Sequence, residues 1–200
     1  DHAVAVAQIL VNTNIGSTTV AAGIVHEAIK SGRAQPALRQ EFGDEIADLV
    51  EGVDKLKDLT FQAPKEELAE QYRKTLIALA EDIRVVLIKF ADRLHNLRFV
   101  DELDEQTRNR MALESRDIYA PLAHRLGLAR IRWELEDLSL KALDPEQYET
   151  IKQKIFLRRN ERERLIEEVQ APLTGAIEEA DVDATLSGRP KNFYSIYKKM

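Results

Sequence analysis

Ile88-Lys-Phe-Ala-Asp-Arg-Leu-His-Asn-Leu-Arg98 is the stretch whose reading decides the fold. From Val86 to Ala91 the chain is apolar except at Lys89, the pattern of a helix covered on most sides. Asp92 and Asn96 lie four residues apart and so stack on one face of that helix. A carboxylate in such surroundings is costly unless it is paired or binds a metal. The competing explanation is an ion pair between Asp92 and a neighbour such as Arg93 or Arg98, and pattern alone does not separate the two.

Outward from this helix, the residues that complete a metal site are His2 and the Val25-His26-Glu27 step. Imidazole together with carboxylate suits a divalent metal such as Mn or Zn. Such a metal lowers the pKa of a bound water and supplies a hydrolytic nucleophile. His2 and His26 are too far apart for one helical face, so they meet only if two packed helices bring them together. Glu27 adjoins His26 and points about 100° away around the helix axis. Both reach one metal only where that helix faces a cleft. Taken singly, either histidine is more ordinarily a half-buried core residue. His95 either orients a ligand by donating to it or simply packs, and His124 reads as structural.

Composition narrows the class. The 200 residues suffice for one large domain or two small ones, and 44% hydrophobic content allows a proper core. Glycine and proline are scarce, at 8 and 6, while Ala, Leu, Glu, Arg and Lys dominate long stretches and favour helix. Without cysteine there is neither a disulfide nor a thiolate metal site, and a cytoplasmic setting is expected. No apolar run approaches a membrane span of roughly 18 residues, and no signal-peptide pattern opens the chain. A net charge of −6 argues against bulk nucleic-acid binding.

The periodicity predicts helices over 18–29, from Pro36 to Phe42, and from Gly43 through Val53, with Ile46, Leu49, Val50 and Val53 on one face. Residues 3–11 suit helix or strand. A loop is expected over 54–66, a helix from about Glu66 to Ala80, and then the central segment Asp82–Arg98. Asp101–Arg110 reads as a charged connection. Met111–Leu126 reads as a helix mildly interrupted at Pro121 and stopped by Gly127. Arg130–Leu143 is amphipathic, and Trp133, Leu135, Leu138 and Leu140 are expected to bury against the body. Asp144-Pro145 caps a long charged helix to about Val169, where Arg158, Arg159, Arg162 and Arg164 alternate with glutamates as a solvated face. A further helix is expected from Pro172 to Ala180. Val182, Ala184 and Leu186 alternate as a short strand would. Gly188-Arg-Pro-Lys191 is a basic turn, and Asn192–Met200 resumes helix. Arg189, Lys191, Lys198 and Lys199, with Tyr194 and Tyr197 between them, suit either phosphate binding or a solvated helix end.

Five blocks carry a family resemblance: VHE (25–27), FGDEIADLVEGVDKL (42–56), EDIRVVLIKFADRLHNLR (81–98), IYAPLAHRLGLARIRWELEDLSLKALDPEQY (118–148) and GRPKNFYSIYKKM (188–200). Together they resemble the RelA/SpoT homologues, which make and degrade the alarmone (p)ppGpp of the stringent response. The resemblance spans the chain. It implies an all-α HD-type hydrolase-like domain at 1–125, a helical connector at 126–180, and at 181–200 the truncated first edge of an α/β synthetase domain. It further implies His2, His26, Glu27 and Asp92 as ligands of Mn²⁺, Asn96 as a nucleotide contact, and Arg189 and Lys191 as ATP-binding residues. Guanine nucleotides (ppGpp, GTP or GDP) are the implied ligands. ATP and Mg²⁺ belong to the synthetase of the full-length protein, and a ribosome contact to regions absent here.

The chain departs from the family at one motif. The usual His-Asp-x-x-Glu-Asp is here His26-Glu27-Ala28-Ile29-Lys30-Ser31. Glutamate replaces the ligand aspartate, and Lys30 and Ser31 replace the acidic pair that activates water. Losing a general base costs about 10²–10⁴ in rate. The implied function is an impaired hydrolase-like half that regulates GTP/ATP pyrophosphotransfer. The alternatives are an active Mn-dependent ppGpp 3′-pyrophosphohydrolase and a non-enzymatic helical module that binds nucleotide or a partner.

Overall fold

Helix dominates because the chain is built from strong helix formers with few breakers. The computed structural model describes residues 1–13, 15–27, 35–56, 77, 81–155 and 159–200. Its helices are α1 (His2–Val11), α2 (Ser17–Val25), α3 (Gln35–Phe42), α4 (Asp44–Lys55), α5 (Ile83–Arg98), α6 (Glu105–Glu114), α7 (Ala120–Arg125), α8 (Ala129–Leu143), α9 (Pro145–Lys154), α10 (Arg159–Glu179) and α11 (Phe193–Tyr197). The fold is all-α, as expected, and no strand occurs among the described residues. Aspartates cap four of the starts: Asp1, Asp82, Asp104 and Asp144 each accept a backbone N–H of the first turn.

The core forms around α5. Val86, Ile88, Phe90, Ala91 and Leu97 are fully covered and join Val6 and Leu10 of α1, Ala22 of α2, Val50 and Val53 of α4, Leu122 of α7 and Leu135 of α8 in one cluster. Helix α1 packs on α2 and α5, α2 on α4, and α5 on α8. At Gly52 a side chain would run into Val85, with 2.7 Å left to its Cγ2, so this glycine sets how closely α4 approaches α5.

Several boundaries differ from expectation. The stretch read as a charged connection is a 3-10 turn (Val100–Glu102) followed by helix from Glu105, because Asp104 accepts the Thr107 N–H and starts α6 early. Between α6 and α7 the backbone widens into a π turn at Ser115–Tyr119, where Ser115 Oγ donates to the Met111 carbonyl at 2.7 Å. Pro121, with no N–H to give the turn before it, follows two residues later. Gly127 ends α7 at φ +73°, with Leu128 N–H donating to the Ala123 carbonyl and Gly127 N–H to that of His124, a Schellman stop.

The long helix expected to Val169 is two helices, since α9 ends at Ile155 in an extended conformation. The break placed at Pro172 is absent. Pro172 sits inside α10 on an exposed face, where water can serve the Glu168 carbonyl that proline leaves without a donor. Residues 182–191 form no regular element, since a single stretch has no second strand to pair with. Asp54 and Lys55 extend α4 into the expected loop. The remainder of that loop and the helix expected over Glu66–Ala80 lie almost wholly outside the described residues.

Of the four residues expected to bury on α8, Leu135 and Leu140 do so, while Trp133 and Leu138 are half-buried. The Arg189 guanidinium lies 5.2 Å from the centre of the Trp133 ring. Leu135→Ala should therefore cost about 2–5 kcal/mol in urea unfolding, and Trp133→Ala less than about 3 kcal/mol. A loss below about 1 kcal/mol for Leu135→Ala would show α8 to be peripheral to the core.

Candidate metal centre

Three helices converge on one point. His2 opens α1, His26 terminates α2, and Asp92 lies on the third turn of α5. One ligand atom from each of His2, His26 and Asp92 lies within 4.8 Å of the other two. His2 Nε2 is 3.3 Å and His26 Nε2 is 3.9 Å from Asp92 Oδ1. Glu27 Oε1 reaches to 3.7 Å from His2 Nε2. His26 and Asp92 are buried, and His2 and Glu27 line the open side.

The packing that permits this is visible in Gly23. A Cβ there would stand 2.4 Å from Leu10 Cδ1 and 3.6 Å from Val6 Cγ1, so the bare glycine lets α2 lie against α1 and brings His26 to His2. The Gly23 carbonyl then accepts from His26 Nδ1 at 2.6 Å. With the proton on Nδ1, neutral His26 directs its Nε2 lone pair toward Asp92. His2 Nδ1 is 2.9 Å from His95 Nδ1, so one of the two rings donates to the other. If His2 is the donor, its own Nε2 lone pair faces Asp92. Burial, and then the His2 ring, push the His95 imidazole below its usual pKa, which keeps it neutral and able to accept. His95 thus touches a candidate ligand from behind.

Asp92 is the electrostatic centre. Burial alone would raise its carboxyl, but the His2 and His26 rings beside it and the charge of Lys89 hold it far below the usual carboxylate range. Lys89 Nζ is 2.8 Å from Oδ2, and Asn96 Nδ2 donates to Oδ1 at 2.8 Å. Arg93 and Arg98, the partners considered from sequence, are engaged elsewhere. Arg93 is buried on Glu114 (2.8 Å) over the Tyr119 ring, and Arg98 pairs with Glu134 at 2.6 Å.

This donor set fits a divalent cation: two imidazole nitrogens and a carboxylate oxygen face one another, and His2 Nε2 is buried without a hydrogen bond. Asn96, expected at the nucleotide, turns its amide onto Asp92. Arg189 and Lys191 stand on the C-terminal segment against α8, exposed, and Lys199 lowers the Lys191 pKa by proximity. Lys30 and Ser31 lie outside the described residues. Sequence reasoning missed Lys89 as a partner of Asp92. Its signal was the i, i+3 spacing of the single charge in an apolar run.

Residues 1–129 match the family described as HD domain. Over its whole length the chain is 43% identical to the bifunctional (p)ppGpp synthase/hydrolase SpoT of Escherichia coli, covering 28% of that protein. It is 41% identical to the guanosine-3′,5′-bis(diphosphate) 3′-pyrophosphohydrolase of Haemophilus influenzae, covering 30% of it, and 41% identical to a probable GTP pyrophosphokinase of Mycobacterium leprae, covering 25%. The chain belongs to the HD-domain family, in the branch formed by the RelA/SpoT homologues. It spans less than a third of the length of these relatives. Among the described residues no helix is long and apolar enough to cross a membrane.

Two outcomes follow. A carboxyl held low in the folded state adds stability above its unfolded pKa of about 3.9, and that stability is lost as pH falls through the folded value. The native chain should thus lose stability on acidification below about pH 5 more steeply than Asp92→Asn, measured by urea midpoints across pH. Gly23→Val should cost about 1–3 kcal/mol by overpacking against Leu10. An unchanged urea midpoint would show that α1 and α2 can separate freely.

Proposed function

We propose that the chain is the hydrolase-like part of a (p)ppGpp-metabolising enzyme of the stringent response, with a Mn²⁺ site on His2, His26, Glu27 and Asp92 and weak or absent turnover. The observation that carries this reading is the convergence of His2, His26 and Asp92 ligand atoms within 4.8 Å. A dication held there supplies Lewis acidity toward a phosphoryl oxygen and acidifies water. The chain's own residues orient the ligands: His26 through the Gly23 carbonyl, His2 through His95, and Asp92 through Lys89 and Asn96. What the chain lacks is a carboxylate pair at positions 30 and 31. Lysine at neutral pH is a cation and serine a poor base, so the proton of the attacking water has no acceptor there. Lys30 attracts the substrate's phosphates instead and favours binding over turnover.

In this reading residues 1–125 form the hydrolase-like domain, 126–180 the connector and 181–200 the first edge of the synthetase. Arg189 and Lys191 belong to its ATP site and Asn96 to the alarmone pocket. The full-length protein is cytoplasmic, uses GTP or GDP with ATP and Mg²⁺, and meets the ribosome through other regions. A second reading, an active hydrolase, is favoured by one observation: the longer Glu27 side chain still reaches to 3.7 Å from His2 Nε2.

Calorimetric titration with Mn²⁺ and a pyrophosphate-release assay with ppGpp distinguish these readings. Stoichiometric binding that Asp92→Ala abolishes, with turnover far below about 1 s⁻¹, is the expected result. Glu27→Asp combined with Lys30→Glu and Ser31→Asp should then raise Mn²⁺-dependent release by about 10²-fold or more. Turnover of the unmodified chain at about 1 s⁻¹ establishes the active hydrolase instead. No Mn²⁺ binding removes the metal site altogether.

A further inference from the structure

Lys89 is the only charged residue in the apolar run 86–91, and its side chain is 12% exposed. Burying an ammonium costs several kcal/mol unless a partner compensates it. That partner is Asp92, one helical turn on: Nζ lies 2.8 Å from Oδ2, while the other oxygen, Oδ1, faces His2 Nε2 and His26 Nε2. The two carboxylate oxygens are thus divided between two environments. Asn96 Nδ2, on Oδ1, fixes the plane of the group from the following turn.

We propose that Lys89 is a positioning residue of the metal centre, which engages Oδ2 of Asp92 and so leaves Oδ1 as the single oxygen offered to the cation. The inference rests on the metal reading above and adds to it the mode of ligation. A carboxylate with both oxygens free can chelate a cation through both; one whose second oxygen is taken by a buried ammonium binds through one. Lys89 also balances the charge of Asp92 before any cation arrives. Lys89 and Asp92 together carry no net charge, which lets so polar a pair sit against the core.

The test uses Lys89→Met, which keeps an unbranched apolar stem and removes the charged end, with Co²⁺ and Mn²⁺ as probes. Loss of a group that orients a ligand typically weakens metal binding about 10–100-fold. The expected result is a rise of that size in the Co²⁺ dissociation constant together with a changed visible absorption spectrum of bound Co²⁺, which reports its coordination. Leu97→Ala, a core change on the same helix, should lower stability and leave the spectrum as in the unmodified chain. If Lys89→Met does not fold, the infrared difference spectrum of the unmodified chain decides, using carboxyl-¹³C aspartate with and without Mn²⁺. A widened splitting of the carboxylate stretches marks one-oxygen ligation and supports the proposal, and a narrowed splitting marks chelation and overturns it. An unaltered constant and spectrum in Lys89→Met overturn it as well. A chain that binds neither ion overturns the metal reading itself, which separates that failure from this one.

Discussion

The structure depends on keeping one carboxylate charged inside an apolar helix bundle. Asp92 sits on α5, the helix with the most complete core face, and an unpaired charge there would cost several kcal/mol. Every neighbour answers that cost. Lys89 and Asn96 come from the same helix, one turn before and one turn after. His2 and His26 come from α1 and α2, and they arrive only because Gly23 lets those helices touch. Residues as plain as Val6 and Leu10 are therefore part of the site's geometry, since they fix the spacing at which two imidazoles meet one carboxylate.

A second largely covered charge, Arg93, lies about 100° around the same helix. Arg93 is enclosed between Glu114 and the Tyr119 ring, and the π turn Ser115–Tyr119 supplies the aromatic half of that enclosure. Adjacent residues of α5 thus point a carboxylate to one side and a guanidinium to the other, each neutralised by a different part of the fold. This pins the rotation of α5 about its axis. Further along, Arg98–Glu134 and Lys141–Asp101 tie the end of α5 and the 3-10 turn after it to α8. In turn α8 holds the C-terminal segment: Asp137 accepts from the Tyr194 N–H and from Asn192, and Asn192 also donates to Glu136. Continuity from the candidate centre to Tyr194 runs through polar pairs along α5 and α8.

Much of this was legible in the sequence, for a physical reason. An acid in an apolar run is a conflict that only tertiary structure resolves, which singles out Asp92 for pairing or metal binding from the sequence, while His2 and His26 join it through the family resemblance. The helix type of nearly every element followed from composition and spacing. Local competition was harder to read. Asp104 starts α6 within a stretch whose charges suggested a connection, and Pro172 is tolerated in α10 because its face is exposed. The partner of Asp92 was sought among arginines at i+1 and i+6, which point away from it around the helix. Lys89 at i−3 lies on the same face. Trp133, expected to bury with Leu135, Leu138 and Leu140, is instead half-buried with the Arg189 guanidinium over its ring.

The departures at positions 27, 30 and 31 gain meaning from this electrostatic frame. Lys89 neutralises Asp92, so a dication entering the centre leaves a positive excess that Glu27 offsets only in part. A centre of that charge suits a polyanion. In the proposed reading a lysine at position 30, where the resembled motif has a carboxylate, would favour anions and could not accept a proton. Attraction and turnover ask for different residues at that point. In the proposed reading His2, His26 and Asp92 would serve the first demand, whereas the second would need a base, which a lysine and a serine at positions 30 and 31 do not supply. Glu27 would belong with the first demand in that reading, because its carboxylate reaches to 3.7 Å from His2 Nε2 and brings negative charge beside the candidate centre.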